Sequence, residues 1–132
     1  MINNIPEALR AYDNWLVYKI EDKKKISYSP ITGKKQCKEG LASFDVAVKV
    51  LQESKGKYKG LSFQLEGTPY CCIDLDDHAP GRKVDEFVAN EILPHFMNTY
   101  IEYSQSGNGL HIFCEAEVVK GINNNNKGIE IY

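Results

Sequence analysis

The sequence predicts an α+β fold, a strand-rich mixed or antiparallel central sheet with two main helices, in a single domain of 132 residues. Two observations carry that prediction. Short runs rich in β-branched and aromatic residues recur between turn-forming residues, and several alternate apolar and polar with period two, as half-buried strands do. Two longer runs instead repeat their apolar residues at helical spacing, and no internal repeat points to a solenoid or array.

Each element follows from its residues. Pro6 with Glu7 beside it opens a short helix to Ala11, since proline suits a first helical turn. Trp15-Leu16-Val17-Tyr18-Lys19-Ile20 is a strand by composition, and 25–29 pairs back on it across the charged turn at 21–24, with Pro30 and Gly33 marking a loop. Ser43 is suited to cap a helix over 44–54, where Phe44, Ala47 and Leu51 share a stripe widened by Val48 and Val50, and Gly56 ends it. Gly60-Leu61-Ser62-Phe63-Gln64-Leu65 alternates with period two. Glu66-Gly67-Thr68-Pro69 then turns into a strand over 70–76, which predicts an antiparallel pair. Val84, Phe87, Val88, Ile92 and Phe96 share one face of a second helix, with Asp85 and Glu86 near its N-terminus and Pro94 kinking or ending it. Strands follow at 100–103, 110–114 and 128–132, and 123–126 reads as a polar loop.

No apolar run approaches the length of a membrane span, and the N-terminus lacks the basic and apolar sections of a secretory signal, so a soluble cytoplasmic protein without a membrane partner is expected. Cys37, Cys71, Cys72 and Cys114 show no zinc-type pair spacing and read as reduced thiols, mostly in the core; a secreted disulfide framework is the alternative. The net charge of −2 conceals a strong asymmetry. Residues 1–60 hold twelve Lys/Arg against seven Asp/Glu, or +5, whereas 61–132 hold four against eleven, or −7. Lys23-Lys24-Lys25, Lys34-Lys35 and Lys55, Lys57 and Lys59 form the basic set, suited to phosphates, although such runs are more often solvated faces.

The chemistry concentrates in the acidic half. In Cys72-Ile73-Asp74-Leu75-Asp76 the two aspartates share one strand face, about 6.6 Å apart along the strand, while Ile73 and Leu75 share the other. Carboxylates crowded on one face stay ionised together when a cation lies between them, and magnesium or manganese prefers oxygen ligands; a solvated turn is the plainer alternative. Ser104-Gln105-Ser106-Gly107-Asn108-Gly109-Leu110-His111 joins two strands through glycines that let backbone N–H groups approach an anion, as in a phosphate cradle, or else forms a simple Asn-Gly hairpin. His111 leaves that turn with Leu110 and Ile112 facing away from it, and Glu130 sits between Ile129 and Ile131 as a third carboxylate in the same alternating pattern.

Taken in order, these residues resemble the archaeo-eukaryotic primase superfamily, and within it the primase-polymerase domains at the N-termini of phage and plasmid replication proteins. Gly60-Leu61-Ser62-Phe63 with Ile73-Asp74-Leu75-Asp76 resembles the first motif of that family, the stretch from Tyr100 through His111 to Phe113 its second, and Gly128-Ile129-Glu130-Ile131-Tyr132 its third. Tyr28-Ser29-Pro30-Ile31-Thr32-Gly33-Lys34-Lys35 followed by Ser43-Phe44 is similar to the upstream pattern of the phage proteins. One departure is a glycine, Gly109, two residues before His111 where the family carries serine, which leaves Ser104 or Ser106 to supply a hydroxyl. Family members continue past the third motif, whereas this chain stops two residues after Glu130, so the N-terminal portion of a larger protein, or a shortened relative, is expected.

The resemblance implies metal-dependent nucleotidyl transfer in DNA replication. Asp74, Asp76 and Glu130 would ligate Mg2+ or Mn2+, and His111 would hold the nucleoside triphosphate with Ser104, Ser106, Gly107, Asn108 and Gly109. Lys34 and Lys35 would face nucleic acid. Implied partners are nucleoside triphosphates, a DNA template and primer, and a helicase domain or protein, in the cytoplasm of a bacterial host to a phage or plasmid. The alternatives are a truncated, non-catalytic module that binds nucleotide or nucleic acid, and a metal-dependent nuclease.

Overall fold

The computed structural model describes residues 2–35, 38–117, 121–124 and 126–132, so Cys37 lies outside the described residues. The chain divides into two compact units, Met1–Gln64 and Leu65–Tyr132. The charge asymmetry follows the same division, because 61–64 carries no charged residue. No helix among the described residues is long and apolar enough to cross a membrane.

The first unit contains helix α1 (Glu7–Arg10), strands β1 (Trp15–Glu21) and β2 (Lys24–Tyr28), helix α2 (Phe44–Glu53) and strand β3 (Gly60–Phe63), with an antiparallel sheet in the order β2-β1-β3. Asp22 and Lys23 both take positive φ (49° and 64°), which gives the β1–β2 hairpin the backbone twist its strands require. The Ser43 hydroxyl accepts from the Val46 amide at 3.3 Å and caps α2 as expected. Val17, Tyr28 and Tyr58 form one buried cluster, with Val50 and Leu51 of α2 packed against it, and Trp15, Leu16, Phe44 and Ala47 are buried as well. Ser29 is fully buried, and its hydroxyl accepts from the Ile31 and Thr32 amides, so the segment leading to Lys34 and Lys35 is a tied turn.

The second unit is a five-stranded antiparallel sheet in the order β5-β6-β4-β8-β7, built from β4 (Tyr70–Leu75), β5 (Tyr100–Tyr103), β6 (Leu110–Glu115), β7 (Ile122–Asn124) and β8 (Ile129–Ile131). Leu75, Leu110 and Ile112 turn one face inward, where they meet Ala79 and Val88 with Val84, Ile92, Leu93 and Phe96. Burying each such side chain contributes roughly 1.5–3 kcal/mol, so this face is committed to the core. Cys71, Cys72 and Cys114 are free thiols; Cys71 and Cys114 face each other across β4 and β6 with their sulfurs 3.2 Å apart.

Four expectations need correction. The α+β class holds, but two antiparallel sheets replace one central sheet. β3 does not pair with β4; it lies along β1, where Phe63 faces Trp15 and Leu61 faces Val17, so aromatic and β-branched packing decides a partner that local turn chemistry left open. The second helix is irregular, with a π-helical stretch at Val88–Ile92 and a 3-10 turn at Leu93–Phe96. Pro94 supplies no backbone donor, and the widened turn moves side chains off the expected stripe: Phe87 is 48% exposed. Part of the expected polar loop at 123–126 is strand, since Ile122–Asn124 pairs with β8 at the sheet edge.

Candidate functional site

The open face of the five-stranded sheet carries a row of polar side chains. Asp74 of β4 is the register partner of His111 on β6 and of Glu130 on β8; His111 is opposite Glu102 on β5, and Glu130 opposite Asn123 on β7. Register partners share a face, so Glu102, His111, Asp74, Glu130 and Asn123 form one line across all five strands, about 19 Å long at the usual strand spacing. Ile112, Ile73 and Ile131, one residue along, point the other way, toward or beside the core. The alternation of Ile73-Asp74-Leu75 and Ile129-Glu130-Ile131 therefore produces a sheet with one apolar and one chemical face.

Asp74 is the centre of this line. Its Oδ1 is buried without a hydrogen-bond partner among the described residues, and His111 Nε2 faces it at 3.6 Å. The other oxygen, Oδ2, accepts from the Tyr132 hydroxyl at 3.3 Å. Burial pushes the Asp74 carboxyl above the ordinary carboxylate range; His111 opposes that shift, and Asp76 and Glu130 reinforce it. On the far side His111 Nδ1 lies 3.1 Å from Glu102 Oε1, and a carboxylate only accepts, so Nδ1 carries the proton and donates. The Tyr100 hydroxyl donates to the second Glu102 oxygen at 2.9 Å, and Asn123 Nδ2 donates to Glu130 at 2.7 Å.

The Ser104 to Gly109 turn is organised by its own hydroxyls. Ser104 Oγ accepts from the Gly109 amide at 3.0 Å and lies 3.0 Å from Ser106 Oγ, which accepts from the Asn108 amide; the Gly107 amide donates to the Ser104 carbonyl. The amides offered by the sequence for an anion are thus engaged within the turn, and an incoming phosphate would exchange with these bonds. Asn108 reaches outward, its carbonyl accepting from the Ala79 amide and its side-chain oxygen from the Gly81 amide. Gly109 has a steric cause: a β-carbon there would stand 2.7 Å from the Leu75 carbonyl oxygen and 3.3 Å from Ser104 Oγ. The Leu75 backbone carbonyl, with Ser104 Oγ beside it, occupies the space that a side chain at 109 would need.

Asp74, Glu130 and His111 are thus brought together, and Asp76, exposed just beyond β4, is close enough to act on the Asp74 charge. Lys34 and Lys35 belong to the other unit, where Lys35 Nζ lies 3.3 Å from Glu21. Sequence reasoning missed Glu102, Tyr132, Tyr100 and Asn123. Glu102 carried the same signal as the others, a polar residue beside Ile101 in an alternating strand. As donors, these groups fit a hard divalent cation: oxygen ligands, like charges face to face at Asp74 and Glu130, and one orphaned buried carboxylate oxygen. Among the described residues, no three His, Cys, Asp or Glu side chains are already gathered as a ready metal cage.

Fold and site together define a class, an α+β protein whose open sheet face bears a carboxylate and histidine row. The whole chain aligns, 31% identical over 142 residues, with a DNA primase-polymerase of Nitratiruptor phage NrS-1. It spans 20% of that relative's length. The chain is therefore related, from end to end, to one segment of a primase-polymerase. No protein-family model matches it.

Proposed function

We propose that this chain is the metal-binding part of a primase-polymerase that carries out nucleotidyl transfer in DNA replication. The observation that supports this most is the register that sets Asp74 between His111 and Glu130, with a buried carboxylate oxygen left unpartnered. Asp74, Asp76 and Glu130 would hold Mg2+ or Mn2+. Such ions, when bound, acidify a hydroxyl nucleophile and stabilise a leaving pyrophosphate. The remaining work falls to the chain's own side chains. Glu102 accepts the Nδ1–H of His111 and so turns Nε2 to the Asp74 side, where Nε2, when it too is protonated, would donate to the triphosphate of an incoming nucleotide. Tyr132 holds Asp74 Oδ2 in place. Ser104, Ser106 and the 107–109 turn would exchange internal bonds for phosphate contacts. Lys34 and Lys35 would add positive charge for a DNA template or primer, with a helicase, in the same protein or separate, supplying single-stranded template.

The test is template-directed incorporation of labelled nucleotide in Mn2+, assayed in the protein as its gene encodes it. Asp74→Ala should abolish incorporation while the circular dichroism spectrum stays unchanged, because catalysis in such a site is positioning and charge neutralisation. Retained synthesis by that variant refutes the reading. Degradation of DNA without added nucleotides would instead indicate a nuclease, and metal-independent DNA binding that survives His111→Ala a non-catalytic module.

A further inference from the structure

His78, in the turn after β4, makes two short hydrogen bonds that tie separate parts of the second unit together. Its Nδ1 lies 2.6 Å from Asp85 Oδ2 and its Nε2 lies 2.6 Å from the Lys127 carbonyl oxygen. Both partners only accept, so both ring nitrogens donate. Asp85 is itself held: its Oδ1 accepts from the Val88 amide at 2.8 Å, capping the helical segment, and its own amide donates to the His78 carbonyl at 2.9 Å. On the other side, Lys127 belongs to the turn between β7 and β8. That turn is also joined to the first by the Asp76 amide, which donates to the Gly128 carbonyl at 2.7 Å. Gly128 takes φ 63°, and a β-carbon there would stand 2.5 Å from the Asp76 carbonyl oxygen, so the two backbones meet as closely as glycine allows.

The consequence falls on Glu130. Strand β8 is three residues long and begins one residue after Gly128; at its other end Tyr132 exchanges two backbone bonds with Cys72. A strand this short keeps its register only if both ends are held. We infer that His78, braced by Asp85, is a positioning residue for Glu130: it clamps the β7–β8 turn and so keeps the Glu130 carboxylate opposite Asp74. The clamp rests on the metal-site reading for its purpose, and on backbone geometry alone for its existence.

Two measurements on the whole chain separate those two parts. Hydrogen exchange should show amides of Ile129–Ile131 opening at least tenfold faster in His78→Ala, with Tyr100–Tyr103 unchanged; His78→Gln, which keeps a donor for the Lys127 carbonyl, should recover most of the protection. Unchanged β8 exchange, or equal loosening of both strands, overturns the clamp. Manganese titration then tests its purpose. His78→Ala should weaken binding roughly tenfold, as loss of a supporting partner of a metal ligand does, and should add nothing in a Glu130→Ala background. The same tenfold loss in both backgrounds overturns the assignment to Glu130. Absence in the native chain of any manganese site sensitive to Asp74→Asn would refute the metal reading, and the exchange data would still decide the clamp.

Discussion

Replacing Asp74 by asparagine should make the metal-free protein more stable while removing its response to metal. Asp74 is 14% exposed at its side chain, its Oδ1 has no hydrogen-bond partner, and Glu130 faces it directly. A buried charged oxygen without a partner costs about 1–3 kcal/mol, and directly opposed like charges add roughly 0.2–1 kcal/mol. Asparagine keeps an oxygen for the Tyr132 hydroxyl, but its amide nitrogen takes the unpartnered Oδ1 position and the attraction to a protonated His111 at 3.6 Å is lost, which together offset about 1 kcal/mol. A net gain of about 1 kcal/mol remains, equivalent to roughly 4 °C in Tm for a chain of this size. Because the folded-state pKa of Asp74 is raised, its contribution to stability is fully present below the unfolded-state pKa and is lost as pH rises through the folded-state value. The Tm advantage of Asp74→Asn should therefore vanish below the ordinary carboxyl value of 3.8 and grow as pH rises above it toward neutrality. Millimolar Mn2+ should raise the Tm of the native chain and not of the variant. A variant less stable than the native chain at pH 7.5 without metal, or an equal Mn2+ shift in both, would show that Asp74 is not an uncompensated buried charge that metal relieves.

Other substitutions test other links. Gly109→Ser places a β-carbon against the Leu75 carbonyl and the Ser104 hydroxyl, and should lower stability by about 1–3 kcal/mol in urea unfolding; an unchanged midpoint would mean the turn has room to spare. Ser43→Ala removes the α2 cap and should cost about 1 kcal/mol by the same measurement. Glu102→Ala should remove the acceptor of the His111 Nδ1–H, seen as a change of the Nδ1 resonance by nitrogen NMR with little change in Tm; an unmoved Nδ1 resonance would mean that Glu102 does not hold the ring.

The polar row on the sheet was legible because strand alternation is a property of neighbouring residues. Ile73-Asp74-Leu75, Leu110-His111-Ile112 and Ile129-Glu130-Ile131 each declare which side chain leaves the core, and once the strands pair, the three polar residues must share a face. What alternation does not contain is the partner. Glu66-Gly67-Thr68-Pro69 has turn chemistry, yet β3 pairs with β1, because side-chain packing across strands is non-local. The irregular helix around Pro94 was legible as a break but not as a π-helical turn, which depends on how the backbone repairs a missing donor. Glu102 and Tyr132 gain their roles only through register, and the reason for Gly109 only through the Leu75 carbonyl beside it.

Whether Asp74 and His111 serve one metal and triphosphate site is decided by calorimetric titration of this chain with a non-hydrolysable nucleoside triphosphate, with and without Mn2+. Binding that requires Mn2+, and that is lost in Asp74→Asn and in His111→Ala, is the predicted result. Binding of equal strength without Mn2+, or binding that survives Asp74→Asn, would contradict it.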